Sequence, residues 1–206
     1  MGNIGGKKRE KKEPAASMSK SIGEKKKGKL YEIKVIILGD VGVGKTSLFQ
    51  KYCENKYEDK YIINIGGAYR QKKEKLENGD ILKLHIWNIG GQEKFRSMLS
   101  LYLKDAVAAI LVYDVSNKES FESLDYWVKV INDNVDDNNF IISLAGNKCD
   151  LSNEIKTISY NDGKNFCIEK EIPIFYEISA KTGDRVKDLF SSLAQKVYEA
   201  QRNEEK

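Results

Sequence analysis

Residues 39–46 read Gly39-Asp40-Val41-Gly42-Val43-Gly44-Lys45-Thr46, a GxxxxGK[ST] pattern that constrains this chain more than any other feature. Its context decides its weight. Leu30–Leu38 alternates polar and apolar residues and then turns continuously apolar, as a strand does on entering a covered sheet. From about Lys45 to Asn55 the pattern is helical. Strand, glycine turn and helix in that order make a phosphate cradle: glycines let backbone N–H groups curl around an anion, and the helix N-terminus adds a favourable dipole. Lys45 is expected to reach the β- and γ-phosphates and the Thr46 hydroxyl to ligate Mg²⁺, with Ser47 in the same nucleotide-binding set.

The rest of the chain supplies the sheet that such a turn needs. Tyr69–Glu77 and Ile81–Trp87 flank Asn78-Gly79-Asp80, a hairpin signal. Ala106–Tyr113, Phe140–Ala145 and Ile172–Ile178 read as short buried strands, and Lys118–Val135, Ser159–Lys170 and Arg185–Arg202 as helices between and after them. Strands alternating with helices, plus one antiparallel hairpin, predict an α/β fold: a mostly parallel sheet with helices on both faces. Ligands of such sheets bind beyond the carboxyl ends of the strands, where each motif of this chain falls.

Asn147-Lys148-Cys149-Asp150 follows one of those strands. A carboxylate at Asp150 can accept from guanine N1 and N2, a donor pair that adenine lacks. Ser179-Ala180-Lys181 follows another strand and reads as a further base-side loop, with the Ala180 N–H facing guanine O6. Asn88-Ile89-Gly90-Gly91-Gln92-Glu93 ends a third; Gly91 can offer its N–H to a γ-phosphate and Gln92 can orient an attacking water.

Residues 1–29 differ in kind. They carry ten basic and three acidic side chains, about +7 of a net charge of +4, so the remainder is about −3. They lack hydrophobic periodicity and are expected to be a disordered basic extension; 30–202 form the nucleotide-binding domain and 203–206 a short tail. No aromatic side chain is interleaved with the basic ones, which argues against nucleic acid. The three cysteines are scattered and His85 is the single histidine, so a disulfide framework, a zinc site and a His-based triad are not expected.

Residues 30–200 resemble a Ras-superfamily small GTPase, and more narrowly a Rab. The segments carrying the resemblance are Lys83-Leu84-His85-Ile86-Trp87, Gly91-Gln92-Glu93-Lys94-Phe95-Arg96-Ser97, Leu111-Val112-Tyr113-Asp114-Val115, Gly146-Asn147-Lys148-Cys149-Asp150 and Ser179-Ala180-Lys181-Thr182-Gly183. The resemblance implies a six-stranded P-loop NTPase fold, GTP/GDP cycling with Mg²⁺, an exchange factor, a GTPase-activating protein and membrane-traffic effectors. It implies that Tyr57 stacks on the guanine and that Tyr69, Trp87 and Tyr102 form an aromatic cluster that effectors read. His85 is expected to be a surface residue.

Three departures from the family pattern fall near the γ-phosphate and metal. Asn64 stands where a Rab has Thr, Asn88 where it has Asp, and Val41 adds a branched side chain to the P-loop. They suggest slow hydrolysis, or at the limit a binding module of the same fold that scarcely hydrolyses GTP. The last cysteine is Cys167, so C-terminal prenylation is not expected; Gly2 is positioned for myristoylation, although Gly6 replaces the preferred Ser/Thr. Gly90-Gly91-Gln92, the myristoylation position at Gly2 and the missing tail cysteine also suggest an Arf-like GTPase, against which stand Ser179-Ala180-Lys181 and Glu93-Lys94-Phe95-Arg96. The expected location is the cytosol and, peripherally, the cytosolic face of an endomembrane or the plasma membrane.

Overall fold

The computed structural model describes residues 1–2, 29–57, 68–90 and 98–204. The expectations for Asn64, Gly91, Gln92 and most of the basic extension lie outside these residues.

The element order is β1 (Leu30–Leu38), α1 (Lys45–Glu54), β2 (Ala68–Lys75), β3 (Ile81–Asn88), α2 (Leu99–Leu103), β4 (Ala108–Asp114), α3 (Lys118–Glu122), α4 (Leu124–Asn134), β5 (Ile141–Asn147), α5 (Tyr160–Glu169), β6 (Ile174–Glu177) and α6 (Val186–Glu204). The strands form one six-stranded sheet in the order β2-β3-β1-β4-β5-β6. Only the β2–β3 hairpin is antiparallel. Its turn is Asn78-Gly79-Asp80, where the Asp80 N–H donates to Asn78 Oδ1 at 3.0 Å.

The apolar runs of the central strands have a direct use: both faces are covered. In β1, Val35 and Ile37 face α1 and α6, while Ile36 and Leu38 face the α4 and α5 side. In β4, Ala108, Ile110 and Val112 join the first layer, and Ala109, Leu111 and Tyr113 the second. In α4 the buried residues are Leu124, Trp127, Val128 and Ile131, the i, i+3, i+4, i+7 spacing of one helical stripe. From β1 the chain passes to β2 and β3 on one side and then crosses to β4 on the other, so the order reverses at β1. This places the P-loop at the topological switch point, where open α/β sheets bind ligands.

Two differences from the sequence expectation have clear causes. The helix expected over Lys118–Val135 is two helices, broken at Ser123. The Ser123 hydroxyl donates to the Asp40 carboxylate at 2.5 Å and lies 3.2 Å from Ser120 O, so its side chain folds back over the local backbone. The five-residue α2 was not expected, because it is too short to carry a period. α6 runs to Glu204, two residues beyond the expected domain end.

The free thiols are not activated. Burial pushes Cys53 up to about 11 and Cys167 up to about 12.

Candidate functional site

The P-loop connects β1 to α1 and uses its glycines sterically. Gly39 and Gly44 sit at φ 138° and 95°, in the left-handed region that glycine alone adopts freely. A Cβ on Gly39 would overlap the Val112 carbonyl, and one on Gly44 would overlap the Asn147 amide. The loop therefore packs directly against the ends of β4 and β5.

Lys45 points back over the loop. Its ammonium donates to Gly39 O at 2.8 Å and Asp40 O at 2.5 Å. Burial pushes its pKa down to about 8, partly offset by Asp40. A cation held among backbone carbonyls with so little solvation is poised to gain from an approaching phosphate.

Asp40 is fixed from the far side. Its carboxylate accepts from Trp127 Nε1 at 2.9 Å and from Ser123 Oγ, which tethers the P-loop to α4. Sequence reading assigned Asp40 to the nucleotide loop but gave no sign of these partners, more than eighty residues away. Val41, next in the loop, is 47% exposed.

The P-loop and the loops after β5 and β6 converge on Asn147, which is 2% exposed. Its Nδ2 donates to Val43 O at 2.8 Å, and its Oδ1 accepts from the Ala180 N–H at 3.0 Å. One side chain thus joins the P-loop, the end of β5 and the loop after β6. This alters one expectation: the Ala180 N–H donates to Asn147, so a guanine O6 would have to share it. Asp150 Oδ1 accepts from Ser179 Oγ at 2.6 Å. Ser179 Oγ in turn accepts from the Thr182 N–H at 3.0 Å, which sets the Ser179-Ala180-Lys181 turn. Lys148 lies at φ 69° and its ammonium pairs with Asp114, at the end of β4. Asp114 also accepts from the Ser116 N–H at 2.9 Å. Sequence reading did not assign Asp114 a role; its place at a strand's carboxyl end was the available signal.

At the metal side, Asn88 ends β3 and is 1% exposed. Its Nδ2 donates to Thr46 Oγ1 at 3.1 Å, while its Oδ1 is buried with no hydrogen-bond partner among the described residues. Mg²⁺ and its bound waters take hard oxygen donors. An orphaned amide oxygen beside a threonine hydroxyl fits that chemistry, although both groups are neutral.

The aromatic trio is continuous. Tyr69 and Trp87 have ring centroids 4.8 Å apart, and Trp87 and Tyr102 6.2 Å. Trp87 and Tyr102 are partly buried against the α4 side of the core. Here His85 departs from the surface residue expected. It is half-buried, its Nδ1 shares a hydrogen bond with Tyr69 Oη at 2.7 Å, and its Nε2 meets Glu32 at 2.8 Å. Gln71 Nε2 donates to Tyr69 Oη as well, at 2.5 Å. The spacing Glu32, Tyr69, His85 carries no sequence signal; β1, β3 and β2 bring them together by register. Tyr57, just past α1, is exposed.

The family model described as "Ras family" matches residues 34–199. Ras-related protein Rab-5B of Plasmodium falciparum is 41% identical over 175 residues, covering 85% of this chain and 82% of that protein. Ras-related protein SEC4 of Saccharomyces cerevisiae is 35% identical, covering 84% and 79%, and human Ras-related protein Rab-22A 33% identical, covering 82% and 84%. The chain belongs to the Rab family of the Ras superfamily. It is accordingly a Rab-like small GTPase of membrane traffic, and among the described residues no helix is long and apolar enough to cross a membrane. Within this Rab domain the P-loop, Asn147-Lys148-Cys149-Asp150 and Ser179-Ala180-Lys181 all stand at the carboxyl ends of parallel strands.

Proposed function

We propose that this protein is a guanine-nucleotide switch of Rab type that holds GTP or GDP with Mg²⁺ and hydrolyses GTP slowly. The observation that carries the nucleotide reading is the Asn147 bridge, which sets the phosphate loop and both base loops at fixed separation. In this reading Lys45 binds the β- and γ-phosphates, Thr46 ligates Mg²⁺, and Tyr57 stacks on the base. Asp150, with one oxygen on Ser179, uses the other to accept from guanine. Gly91 and Gln92 serve the γ-phosphate and the attacking water. Bound Mg²⁺ would neutralise phosphate charge.

Slow hydrolysis rests on Asn88. A carboxylate at this position would accept the Thr46 proton and bring negative charge to the metal side; the amide instead donates to Thr46 Oγ1 and occupies one of its lone pairs. Asn64, an amide in place of a hydroxyl, would act in the same direction. A loss of about 1.4 kcal/mol in transition-state stabilisation slows a step tenfold.

The test is single-turnover GTP hydrolysis and Mg²⁺-dependent nucleotide release in Asn88→Asp, Asn64→Thr and the pair. The double variant is expected to hydrolyse faster and retain metal more tightly. A parent protein that already equals the double variant in both assays would leave the substitutions neutral. Attachment to the cytosolic face of a membrane would follow from acylation at Gly2 plus the Lys7–Lys12 and Lys25–Lys29 clusters, since one acyl chain alone binds marginally. Gly2→Ala is expected to move the protein to the soluble fraction; unchanged fractionation would remove the lipid from the account.

A further inference from the structure

On the flank of the sheet, between α1, the edge strand β2 and α6, lies a cavity of about 770 Å³. Lys51, Lys72, Lys73, Lys75 and Lys187 line it, with Glu74 as the one carboxylate. None of the five lysines forms an ion pair among the described residues. Glu74 does not neutralise them from the open side: it is buried, and its two oxygens are taken by Tyr52 Oη and, at 3.2 Å, by Ser191 Oγ. Lys72 is held in place, donating to the Tyr52 carbonyl with its ammonium 4.2 Å from the Tyr52 ring centroid. Lys51, Lys72 and Lys187 give the concave surface an excess of positive charge, and Lys73 and Lys75, out of phase with Lys72 and Glu74 along β2, border it from the strand's other face.

We propose that this groove binds a multiply phosphorylated polyol, either a soluble inositol phosphate or the headgroup of a phosphoinositide. Three observations select that class. The volume falls in the range of small-molecule sites, about 300–1,000 Å³, well above what a single phosphate fills. The cations are all lysines, compact point charges that take a phosphate from several directions without a fixed fork geometry. Asn55, Thr182 and Ser191 add an amide and two hydroxyl oxygens to the lining, a match for ring hydroxyls.

A rival explanation is that lysines guard a sheet edge against strand pairing. It accounts for Lys73 and Lys75 on β2. It does not account for Lys51 on α1 or Lys187 on α6, which belong to no edge and line the same cavity.

The groove meets the turn after Ser179-Ala180-Lys181 at Thr182 and Gly183 but uses none of the residues to which slow hydrolysis is assigned, so it stands whether or not hydrolysis is slow. Full-length protein saturated with GDP and Mg²⁺ would be titrated calorimetrically with inositol trisphosphate at about 0.15 M salt, where the Debye length of ~8 Å screens diffuse attraction. Lys51→Gln with Lys187→Gln is expected to weaken binding at least about tenfold. Lys118→Gln with Lys129→Gln, equal in charge but away from the groove, is expected to leave it unchanged, as is neutralising Lys7, Lys8, Lys11 and Lys12. The source is read with vesicles, using protein in which Lys7, Lys8, Lys11, Lys12, Lys25, Lys26 and Lys27 are neutralised: co-sedimentation with phosphatidylcholine carrying a few per cent phosphatidylinositol bisphosphate, lost when the groove pair is also substituted, assigns a lipid headgroup. Trisphosphate binding with no such co-sedimentation assigns a soluble ligand.

Four results would overturn the proposal: no trisphosphate binding by the parent, equal weakening in the control pair, inorganic phosphate binding as tightly as the trisphosphate, or a poly-glutamate peptide displacing it at equal concentration. Groove variants that lose solubility but bind normally would make the lysines edge guards and also overturn it.

Discussion

Replacing Asn147 by alanine removes two hydrogen bonds at once, and both partners are backbone groups in the interior of the site. Val43 O loses its donor at 2.8 Å and the Ala180 N–H its acceptor at 3.0 Å. Each buried polar group left unpaired costs about 1–3 kcal/mol, so the substitution should destabilise the domain by about 2–6 kcal/mol. At about 2–4 °C per kcal/mol for a domain of this size, melting should fall by at least about 4 °C. Because both bonds lie within the protein, the loss should appear with and without nucleotide. A contact made only to the base would be felt only with it. The P-loop and the Ala180 turn would no longer be fixed relative to each other, and GDP release should quicken at least about tenfold. Thermal melts of both forms and release of a fluorescent GDP analogue measure this, with Asn134→Ala, an exposed helix-end bond to Val130 O, as control. If Asn147→Ala melted like the control and released GDP at the parent rate, the bridge would not be what holds the loops.

Tyr113→Phe should stabilise the protein by about 1 kcal/mol, because the Tyr113 hydroxyl is buried with no hydrogen-bond partner among the described residues; chemical denaturation reads it, and a loss of stability would mean the hydroxyl is satisfied. Gly146→Ala should do the reverse, since its Cβ would lie 2.6 Å from that hydroxyl and 2.8 Å from the ring carbon bearing it; its melting point should fall, and recover in part when Tyr113 is also truncated to Phe. In nucleotide-free protein Lys45 has its pKa lowered to about 8 in the fold against 10.5 unfolded, so between those pH values the unfolded chain binds more protons and stability should rise with pH; Lys45→Met should lose that rise, and an identical pH profile in the two proteins would refute it.

What the sequence made legible was whatever repeats with a period or sits at a strand's end. The continuous apolar runs of β1 and β4 announced strands covered on both faces, and Gly39 to Thr46 announced the turn between strand and helix. Register and distant side-chain pairing were not legible. Asp40 reads as a loop residue; nothing local says that Trp127 and Ser123 will grip its carboxylate or that the same grip breaks the expected long helix at Ser123. His85 reads as one polar position in an alternating strand. Only the pairing of Lys34 with His85 on one side and Gln71 with His85 on the other brings Glu32 and Tyr69 within reach of its ring.

The same topology separates the chemistry from the chain's extensions. All three nucleotide loops follow the carboxyl ends of parallel strands, and Tyr69 and Trp87 pair beside the last residues of β3. Lys29 precedes β1 at the opposite end, where its N–H donates to Asp80 Oδ1 at 2.7 Å. Tyr198 of α6 reaches the same Asp80 at 2.7 Å, so the hairpin tip ties the start of β1 to the last turns of α6. The Lys29 amide bond, the Tyr198 hydroxyl and the Asn78 amide hold the Asp80 carboxyl below its usual range, with Tyr198 the largest contributor. Lys29 is thereby anchored at the end of the sheet opposite the P-loop and the aromatic strip. Loss of the Asp80 carboxylate would weaken both ties, leaving the Ile81 N–H to Lys29 O bond and the Asn78 Nδ2 to Tyr198 Oη bond, without touching a nucleotide loop. Asp80→Ala should therefore alter protease protection near Lys29 and leave GDP release at the parent rate; a change in release would mean the two ends of the sheet are coupled.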